Sequence, residues 1–264
     1  MSQFLRSWSL TIDGTDVSQL AMTFRVTKNL KPEPNQAEIT VRNLAPATRK
    51  RLEAPKTLNV ILSAGYQPTP HAIFSGEVRF AWSEIDGADI VTTIATGDKE
   101  AAIASSRASI SMPSNATPQD ILTQVAKSMR VGIGNLPQAI ATQGLGGVAT
   151  VIHGAASDAL NSITRGAGLE WSIQDGALQV LPNGQALSST AVVLSAATGL
   201  IGSPTVDSKG VMSCRALIAP DLTPGRLVRI NGRLLQGDFR IEESQYSGDT
   251  HGNDWFVDLH CRKH

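Results

Sequence analysis

Trp255-Phe-Val-Asp-Leu-His-Cys261 is the stretch that decides the fold, because apolar and mostly polar side chains alternate along it without a break. Successive side chains of a β-strand point to opposite faces, so this alternation predicts a strand with one buried and one exposed face. The apolar face comprises Trp255, Val257, Leu259 and Cys261, and the other face comprises Phe256, Asp258, His260 and Arg262.

Further strand-like runs precede this one in the C-terminal third of the chain. Residues 210–218, 222–230 and 237–241 form apolar-rich runs that Gly, Pro and Asp residues separate. Short strands at regular spacing, with such turn residues between them, are typical of a small antiparallel barrel or sandwich. We therefore predict a β-rich domain at this end of the chain.

The first hundred residues have the same character. Asp13-Gly14 separates two runs and favours a tight hairpin turn. Val78, Phe80 and Trp82 are predicted to share one face of a longer strand. Six or seven strands in this length predict a closed or nearly closed barrel. The main alternating runs span residues 22–26, 37–41, 59–64, 73–82 and 89–96.

The middle of the chain contains helical signals and a hairpin signal. Thr117-Pro-Gln-Asp120 predicts a helix start, with Thr as the N-cap and Pro in the first turn, and Gly132 is the expected stop. A second helix is predicted over residues 155–165, with Gly166 or Gly168 ending it. Asp175-Gly176, between two alternating runs, predicts a hairpin with a type I′ turn.

These patterns predict a mainly β (α+β) protein with two antiparallel β-barrel domains and a small α/β domain inserted between them. The expected boundaries are residues 1–100 for the N-terminal barrel, 101–184 for the α/β domain and 185–264 for the C-terminal barrel. Strands that cross between the barrels, and so interleave the first and third parts, remain an open alternative.

Composition excludes several classes of protein. The 264 residues are 41% hydrophobic, which suffices for a core, and 23 basic residues balance 23 acidic ones. A neutral chain lacks the basic footprint of a nucleic-acid-binding protein. Residues 1–10 lack the apolar run of a signal peptide, and no uninterrupted apolar window of membrane-spanning length occurs. We expect a soluble or assembled protein without stable membrane insertion.

The chain has two cysteines, Cys214 and Cys261, which are too few for a disulfide-stabilised secreted scaffold. Both lie in apolar strand patterns, so we expect buried free thiols. A bridge between neighbouring strands remains an alternative.

Metal and nucleotide sites find little support. Residues 144–147 are Gly-rich, but no Lys follows them, so a loop is expected there instead of a phosphate site. The turn 249–254, with His251 and Asp254, could hold calcium, although Asp, Asn and Gly also favour tight turns for local backbone reasons. Zinc would require a close set of ligands, and no pair of histidines shares a helix at ligand spacing. The five histidines are His71, His153, His251, His260 and His264.

Catalytic residues are equally sparse. A glycan hydrolase needs two carboxylates around a cleft, and Asp158, Glu170 and Asp175 lie near a candidate sugar-stacking ring, Trp171. We expect Trp171 to belong to a core, because it begins an amphipathic hairpin. The basic run 49–51 and Lys56 could contact phosphate but fit a solvated helix face better. We therefore predict no enzyme activity and assign no catalytic, cofactor-binding or metal-binding residues and no cofactor.

Taken in order, several passages resemble one family. The C-terminal passage from Gly199 to Cys261 is similar to the closing domain of phage tail baseplate hub proteins. Earlier passages resemble the same family in the same order, so the similarity extends over nearly the whole chain, with residues 132–154 matching least. These passages are Phe24–Lys28, Asn35–Leu44, Thr48-Arg49, Val60–Tyr66, Ile73–Val78 and Gly168–Trp171 with the hairpin that follows it.

The resemblance implies a structural role. Hub proteins form a trimer in which each chain contributes two tube-like β-barrels, so that a quasi-sixfold ring joins the hexameric tail tube to the central spike. The implied partners are two further copies, the tail tube protein, the central spike protein and, as a further contact, the tape measure protein. DNA would pass only transiently through the lumen. The implied location is the virion tail baseplate, assembled in the host cytoplasm. A tail-associated cell-wall hydrolase and a free carbohydrate-binding module are the alternatives.

Overall fold

The computed structural model describes residues 5–54, 57–137 and 150–264. The chain divides into two compact units. The first unit consists of Met1–Asn29, Asn35–Asp98 and Ser188–His264, and the second consists of Leu30–Pro34 and Lys99–Leu187. Within the described part of the chain, no helix has the length and apolar character needed to cross a bilayer.

The first unit is built almost entirely from strands. Its N-terminal elements are β1 (Arg6–Ile12), β2 (Thr15–Asp16), β3 (Met22–Asn29), β4 (Gln36–Arg42), α1 (Pro46–Leu52), β5 (Asn59–Tyr66), β6 (His71–Asp86) and β7 (Asp89–Gly97). Its C-terminal strands, numbered after those of the second unit, are β13 (Ala191–Leu194), β14 (Leu200–Val206), β15 (Val211–Ala216), β16 (Leu227–Asn231), β17 (Gln236–Asp249) and β18 (Trp255–Lys263).

Strands from both terminal segments belong to one sheet. Its order is β14-β15-β18-β17-β3-β4-β7-β6-β5-β1-β2, and β16 branches from β17 to pair with β13. The two segments join where β3 runs antiparallel to β17, with Val26 opposite Tyr246 and Arg25 opposite Ser247. This pairing connects residues more than two hundred positions apart in the sequence.

The alternation in the sequence explains which face of the sheet is buried. Phe24 and Val26 on β3 are buried, whereas Thr23 and Arg25 between them are exposed. The last strand follows the predicted pattern, with Trp255, Val257, Leu259 and Cys261 buried in the same hydrophobic cluster as β3. The turn Asp13-Gly14 has φ angles of 47° and 79°, as a type I′ hairpin requires.

The second unit combines helices with short sheets. Its elements are α2 (Glu100–Ser105), β8 (Arg107–Met112), α3 (Pro118–Ser128), β9 (Gly132–Asn135), β10 (Thr150–Ala155), α4 (Ala156–Gly166), β11 (Leu169–Gln174) and β12 (Ala177–Pro182). β8 pairs with β10, and β12 lies between β11 and β9. Leu122 and Leu160 are buried in its core.

Local signals in this unit predict three features correctly and one wrongly. Thr117 and Asp120 form a reciprocal capping box at the start of α3. Gly168, after α4, has a φ of 67°, and the Asp175-Gly176 turn has φ angles of 51° and 83°. The predicted stop at Gly132 is wrong. Arg130 reverses the chain with a φ of 56°, and Gly132 lies in β9.

The mainly β (α+β) class is confirmed. The boundaries at residues 100 and 184 and the two separate barrels stay predictions.

Candidate functional site

The exposed face of the large sheet is a polar surface of the first unit. Eight consecutive strands contribute to it, in the order β14-β15-β18-β17-β3-β4-β7-β6. Four of these strands come from the C-terminal segment and four from the N-terminal segment, and they meet at the β17–β3 pairing. We call this surface the polar face.

Strand register aligns the side chains of the polar face in rows, because directly opposed residues of paired strands point to the same side. The longest row crosses all eight strands. Its members, in spatial order, are Ile201, Arg215, Asp258, Gln245, Thr27, Gln36, Gly97 and Glu77. A neighbouring row consists of Phe256, Ser247, Arg25, Glu38, Ala95 and Phe80, and a third consists of Asp249, Thr23, Thr40, Thr93 and Trp82.

Charges on the polar face are of both signs, and two cross-strand pairs join charges of opposite sign. Arg215 donates two hydrogen bonds to Asp258, of 2.7 and 2.9 Å, and its guanidinium lies 3.6 Å from the ring centre of Phe256. The hydrogen bond to Asp258 raises the pKa of Arg215. Arg25 stands directly opposite Glu38. Many of the other residues in the three rows are Thr, Ser or Gln, and Glu77 and Asp249 add acidic groups, so the face is hydrophilic and carries charges of both signs.

Exposed apolar side chains lie at the two lateral margins of the polar face. Phe80 and Trp82 on β6 are 54% and 41% exposed, and their rings stack at 5.4 Å between centroids. The sequence correctly grouped these two residues on one face, but it wrongly added Val78. The register shifts between Val78 and Phe80, so Val78 lies opposite Thr96 and packs against the core. Ile201 on β14 is 40% exposed at the opposite margin.

The five candidate metal-binding histidines lie on different elements of the two units. His260 on the polar face is hydrogen-bonded through Nδ1 to Ser213 Oγ at 3.0 Å, and His251 Nδ1 lies 2.9 Å from Thr250 Oγ1. His71 begins β6, His153 lies on β10, and the amide of His264 donates to Asp238. Among the described residues, no three His, Cys, Asp or Glu side chains are grouped as metal ligands.

The candidate calcium turn is occupied by internal hydrogen bonds. Oδ1 of Asp249 accepts hydrogen bonds from the amides of His251 and Gly252 at 2.8 and 2.7 Å. The guanidinium of Arg6 donates to the carbonyl oxygens of Asp249, Gly252 and Asn253 at 3.1, 2.7 and 2.9 Å. The carbonyls that could hold a cation are therefore bonded to a cationic side chain.

In the part of the chain that the structure describes, the cleft that contains Asp158 does not include the other candidate hydrolase residues. Trp171 is 3% exposed, and its Nε1 donates to Asn161 Oδ1 at 2.9 Å, so it is a core residue. Asp158 lines a cleft of about 450 Å³ between β10 and α4, with His153 and Ser162. Glu170 lies on β11, and Asp175 lies in the hairpin turn.

The remaining sequence candidates have structural explanations or lie outside the described residues. Arg51, at the end of α1, forms a 2.7 Å ion pair with Asp13. Cys214 and Cys261 are buried free thiols. Lys56 and the Gly-rich residues 144–147 fall outside the described part of the chain.

A comparison with protein families matches residues 9–261 to the family described as "Baseplate hub gp41". The chain belongs to this family. The match includes both terminal segments and the second unit, so the resemblance seen in the sequence is confirmed over nearly the whole chain. The baseplate hub family is a family of structural phage tail proteins. Among curated proteins, none matches this chain.

Solved structures show the same fold at low sequence identity. The tail protein of Neisseria meningitidis MC58 is 10% identical with a TM-score of 0.70, covering 98% of this chain and 97% of that chain. The 43 kDa tail protein of prophage MuSo2 from Shewanella oneidensis is 12% identical with a TM-score of 0.69, covering 97% and 96%. The E. coli c3393 protein, a type VI secretion system component, is 11% identical with a TM-score of 0.65, covering 97% and 76%.

Sequence reasoning identified the baseplate hub family but missed the polar face. Each strand's exposed residues were visible in the alternation, yet their rows depend on which strands pair and in what register. The signal that could have pointed to the face is the frequency of Thr, Ser and Gln at exposed strand positions, as in Thr23, Thr40 and Gln245.

Proposed function

We propose that this chain is the structural hub of a tail baseplate, a homotrimer that joins the hexameric tail tube to the central spike around a lumen for DNA. The observation that carries the proposal is the eight-strand polar face, with four strands from each terminal segment. Three chains would present six four-stranded sets. A threefold assembly could then offer a wall of nearly sixfold symmetry to a hexameric tube.

The chemistry of the polar face supports its use as the wall of the lumen. Protein–DNA affinity comes largely from Lys and Arg side chains that neutralise phosphates. On this face, Arg215 is paired with Asp258, and Arg25 stands opposite Glu38. A wall of this kind, hydrated by hydroxyl and amide groups, would let a polyanion pass without holding it.

The proposed partners are those of a baseplate hub. They are two further copies of the chain, the tail tube protein on one side and the central spike protein on the other. The tape measure protein and other baseplate proteins are further contacts, and assembly takes place in the host cytoplasm. The family match and the description of the c3393 protein as structurally similar to the T4 tail proteins gp27 and gp5 support this assignment.

Particle composition and symmetry test the proposal. Purified tails examined by cryo-electron microscopy should contain three copies of the chain at the end of the tube, with the polar face towards the axis. Native mass measurement of the released complex should give a trimer. A stable monomer that is absent from purified tails would overturn the proposal.

A tail-associated cell-wall hydrolase is the second candidate, and the cleft that contains Asp158, His153 and Ser162 is the observation in its favour. We propose that the chain has no such activity. Zymography on peptidoglycan should give no clearing band for the wild-type protein. A band that disappears in Asp158→Asn or Glu170→Gln, but persists in the matched variant Asp175→Asn, would establish the hydrolase instead.

A further inference from the structure

A cleft of about 690 Å³ lies in the first unit beside the turn 249–254, which joins β17 to β18. This size is typical of pockets that hold small ligands. The start of β1, the end of β5, the turn and the start of β18 all contribute to its lining. Four aromatic residues are among the lining residues, and they are Trp8, Tyr66, Trp255 and Phe256.

Strand register places three lining side chains on one side of the sheet. Arg6 lies directly opposite Tyr66, and Trp8 follows Arg6 by two residues on β1, so all three point to the same side. The ring of Trp255 packs edge-on against that of Trp8, with 6.0 Å between the centroids. Trp8 and Tyr66 are only half-buried. The cleft therefore offers accessible aromatic surface from two paired strands.

The cationic group of the cleft is already bound within the chain. The guanidinium of Arg6 donates to three carbonyl oxygens of the turn at 3.1, 2.7 and 2.9 Å, and it lies 5.4 Å from the ring centre of Trp255. Among the described residues that line the cleft, no other Lys or Arg and no Asp or Glu occurs. Nucleic acids and other phosphate ligands are held mainly by available cationic groups, so they do not suit this cleft.

The indole N–H groups of the cleft are also occupied. Trp8 Nε1 donates to the carbonyl oxygen of Ser18 at 2.9 Å, and Trp255 Nε1 donates to that of Gly65 at 3.2 Å. Pro-rich peptides bind in aromatic-lined grooves, and their backbone carbonyls need donors from the groove. These two tryptophans provide aromatic surface but no donor, which disfavours a Pro-rich peptide as the ligand.

Two polar side chains of the cleft are available to a ligand. In the described part of the chain, neither the hydroxyl of Tyr66 nor the side-chain amide of Asn253 is hydrogen-bonded to another residue. Thr250, in contrast, is bonded to the backbone of Met22 through Oγ1. Burial raises the pKa of Tyr66, against a smaller lowering by Arg6, so its hydroxyl is protonated at neutral pH. A hydroxyl and an amide can each donate and accept hydrogen bonds.

Aromatic surface beside neutral groups that both donate and accept is the chemistry that suits a sugar. The C–H face of a pyranose ring packs on an aromatic ring, and its hydroxyls bond to hydroxyl and amide groups. We propose that this cleft binds a neutral oligosaccharide, with a sugar ring against Trp8 and Tyr66 and its hydroxyls bonded to Tyr66 Oη and the Asn253 amide. This binding function goes beyond the proposed hub role and does not depend on it.

Binding of defined neutral oligosaccharides to the full chain tests the proposal. Among oligomers of glucose, galactose, mannose and N-acetylglucosamine, at least one should bind with a dissociation constant of about 1 mM or lower. Trp8 and Trp255 line the cleft, so binding should change the tryptophan emission, and Trp8→Phe should reduce that change. Failure of all these oligosaccharides to bind would overturn the proposal.

Variants of the two available polar groups locate the binding site. Tyr66→Phe and Asn253→Ala should each weaken binding about two- to tenfold, the contribution of one hydrogen bond. The matched controls are Tyr246→Phe, which removes a buried hydroxyl outside the cleft, and Asn231→Ala, at an exposed position of β16. Both controls should bind as the wild type does, and circular dichroism should show all four variants folded. Unchanged affinity in both cleft variants, or an equal loss in the controls, would overturn the proposal.

Competition distinguishes the proposed ligand class from the two classes that the cleft disfavours. Decaproline represents a Pro-rich peptide, and inorganic phosphate represents an anionic ligand. Neither should displace the bound oligosaccharide. Displacement by decaproline would identify a peptide site, and displacement by phosphate would identify an anion site, so either result would overturn the assignment to a neutral sugar.

Discussion

Tyr246 Oη donates a 2.8 Å hydrogen bond to the carbonyl oxygen of Leu222. Ser244 Oγ, two residues earlier on β17, donates to the same oxygen at 2.7 Å. All three residues are buried. The two bonds fasten the segment before β16 to β17 next to the β17–β3 pairing, which unites the two halves of the polar face.

Sharing one acceptor makes the two hydroxyl groups interdependent. Tyr246→Phe and Ser244→Ala should each lower the free energy of unfolding by about 0.5–1.5 kcal/mol, because one donor to Leu222 remains. The double variant should lose more than the sum, since a buried carbonyl without a donor costs roughly 1–3 kcal/mol. Urea unfolding measures all three changes. Ser208→Ala, at an exposed position, is the control, and strict additivity would contradict the shared acceptor.

Gly248 is required where β17 meets β3. A Cβ added at Gly248 would overlap the ring of Phe24, its directly opposed residue. That ring cannot move away easily, because it packs edge-on against Trp255 at 5.5 Å. Gly248→Ala should therefore cost about 1–3 kcal/mol in urea unfolding, as overpacking usually does. Adding Phe24→Leu should recover part of the lost free energy of unfolding. If Gly248→Ala left the free energy of unfolding unchanged, the β17–β3 pairing could accommodate a Cβ at this position.

Features of the fold that depend on neighbouring residues could be predicted from the sequence. The Asp13-Gly14 and Asp175-Gly176 turns adopt positive φ because Asp and Gly tolerate it, and the capping box at Thr117 needs only residues three apart. Arg130 shows the limit of such reasoning. It takes the left-handed conformation expected of glycine, because the chain must turn into β9 to pair with β12.

Features that depend on distant pairing could not be predicted. Nothing local specifies that Tyr246 faces Val26, and the rows of the polar face follow from that register. The same is true of Phe80 and Trp82. Their shared face was visible in the alternation, but their exposure results from β5 leaving β6 at Glu77. The candidate site was therefore missed, although the family was recognised.

Trp255 should be a main determinant of stability in the first unit. It packs against Trp8 and Phe24, and its Nε1 donates to the carbonyl of Gly65 at 3.2 Å. Trp255→Ala should cost roughly 3–5 kcal/mol. Leu234→Ala is the control, since Leu234 is 86% exposed and should change little. Hydrogen exchange should show the loss of protection in β3 and β18, and unchanged protection there would contradict this role for Trp255.

Leu160 on α4 is completely buried, so a variant there tests the core of the second unit. Leu160→Ala should cost about 2–5 kcal/mol and weaken hydrogen-exchange protection in α3 and α4. The matched control is Ser162→Gly, at an exposed position of the same helix, with an expected cost of about 0.5 kcal/mol from helix propensity alone. Equal costs for the two variants would contradict the burial of Leu160.

The capping box at Thr117 should make the stability of α3 depend on pH. Backbone and side-chain hydrogen bonds from Thr117 lower the pKa of Asp120 below its ordinary value. A carboxyl whose pKa is lowered by folding stabilises the folded state above its ordinary pKa and loses this contribution as pH falls through the lowered value. Protection of the α3 amides should therefore decrease below about pH 4. Asp120→Asn should flatten this dependence, and Thr117→Ala should cost about 1 kcal/mol at pH 7.

The buried thiols of Cys214 on β15 and Cys261 on β18 should make the folded state less stable at alkaline pH. Burial, with a smaller contribution from Asp258, raises the pKa of Cys214 from 9.0 to about 12. Burial also raises the pKa of Cys261. Stability that comes from a neutral buried thiol is complete below the pKa of the unfolded chain and decreases as pH rises towards the folded value. Urea unfolding should therefore show stability falling between pH 9 and pH 11, with a shallower fall in Cys214→Ala.

Both thiols should react slowly with a thiol reagent at pH 8 in the folded protein and rapidly in urea. Rapid reaction of the folded protein, or an alkaline loss that is unchanged in Cys214→Ala, would contradict the burial of these thiols.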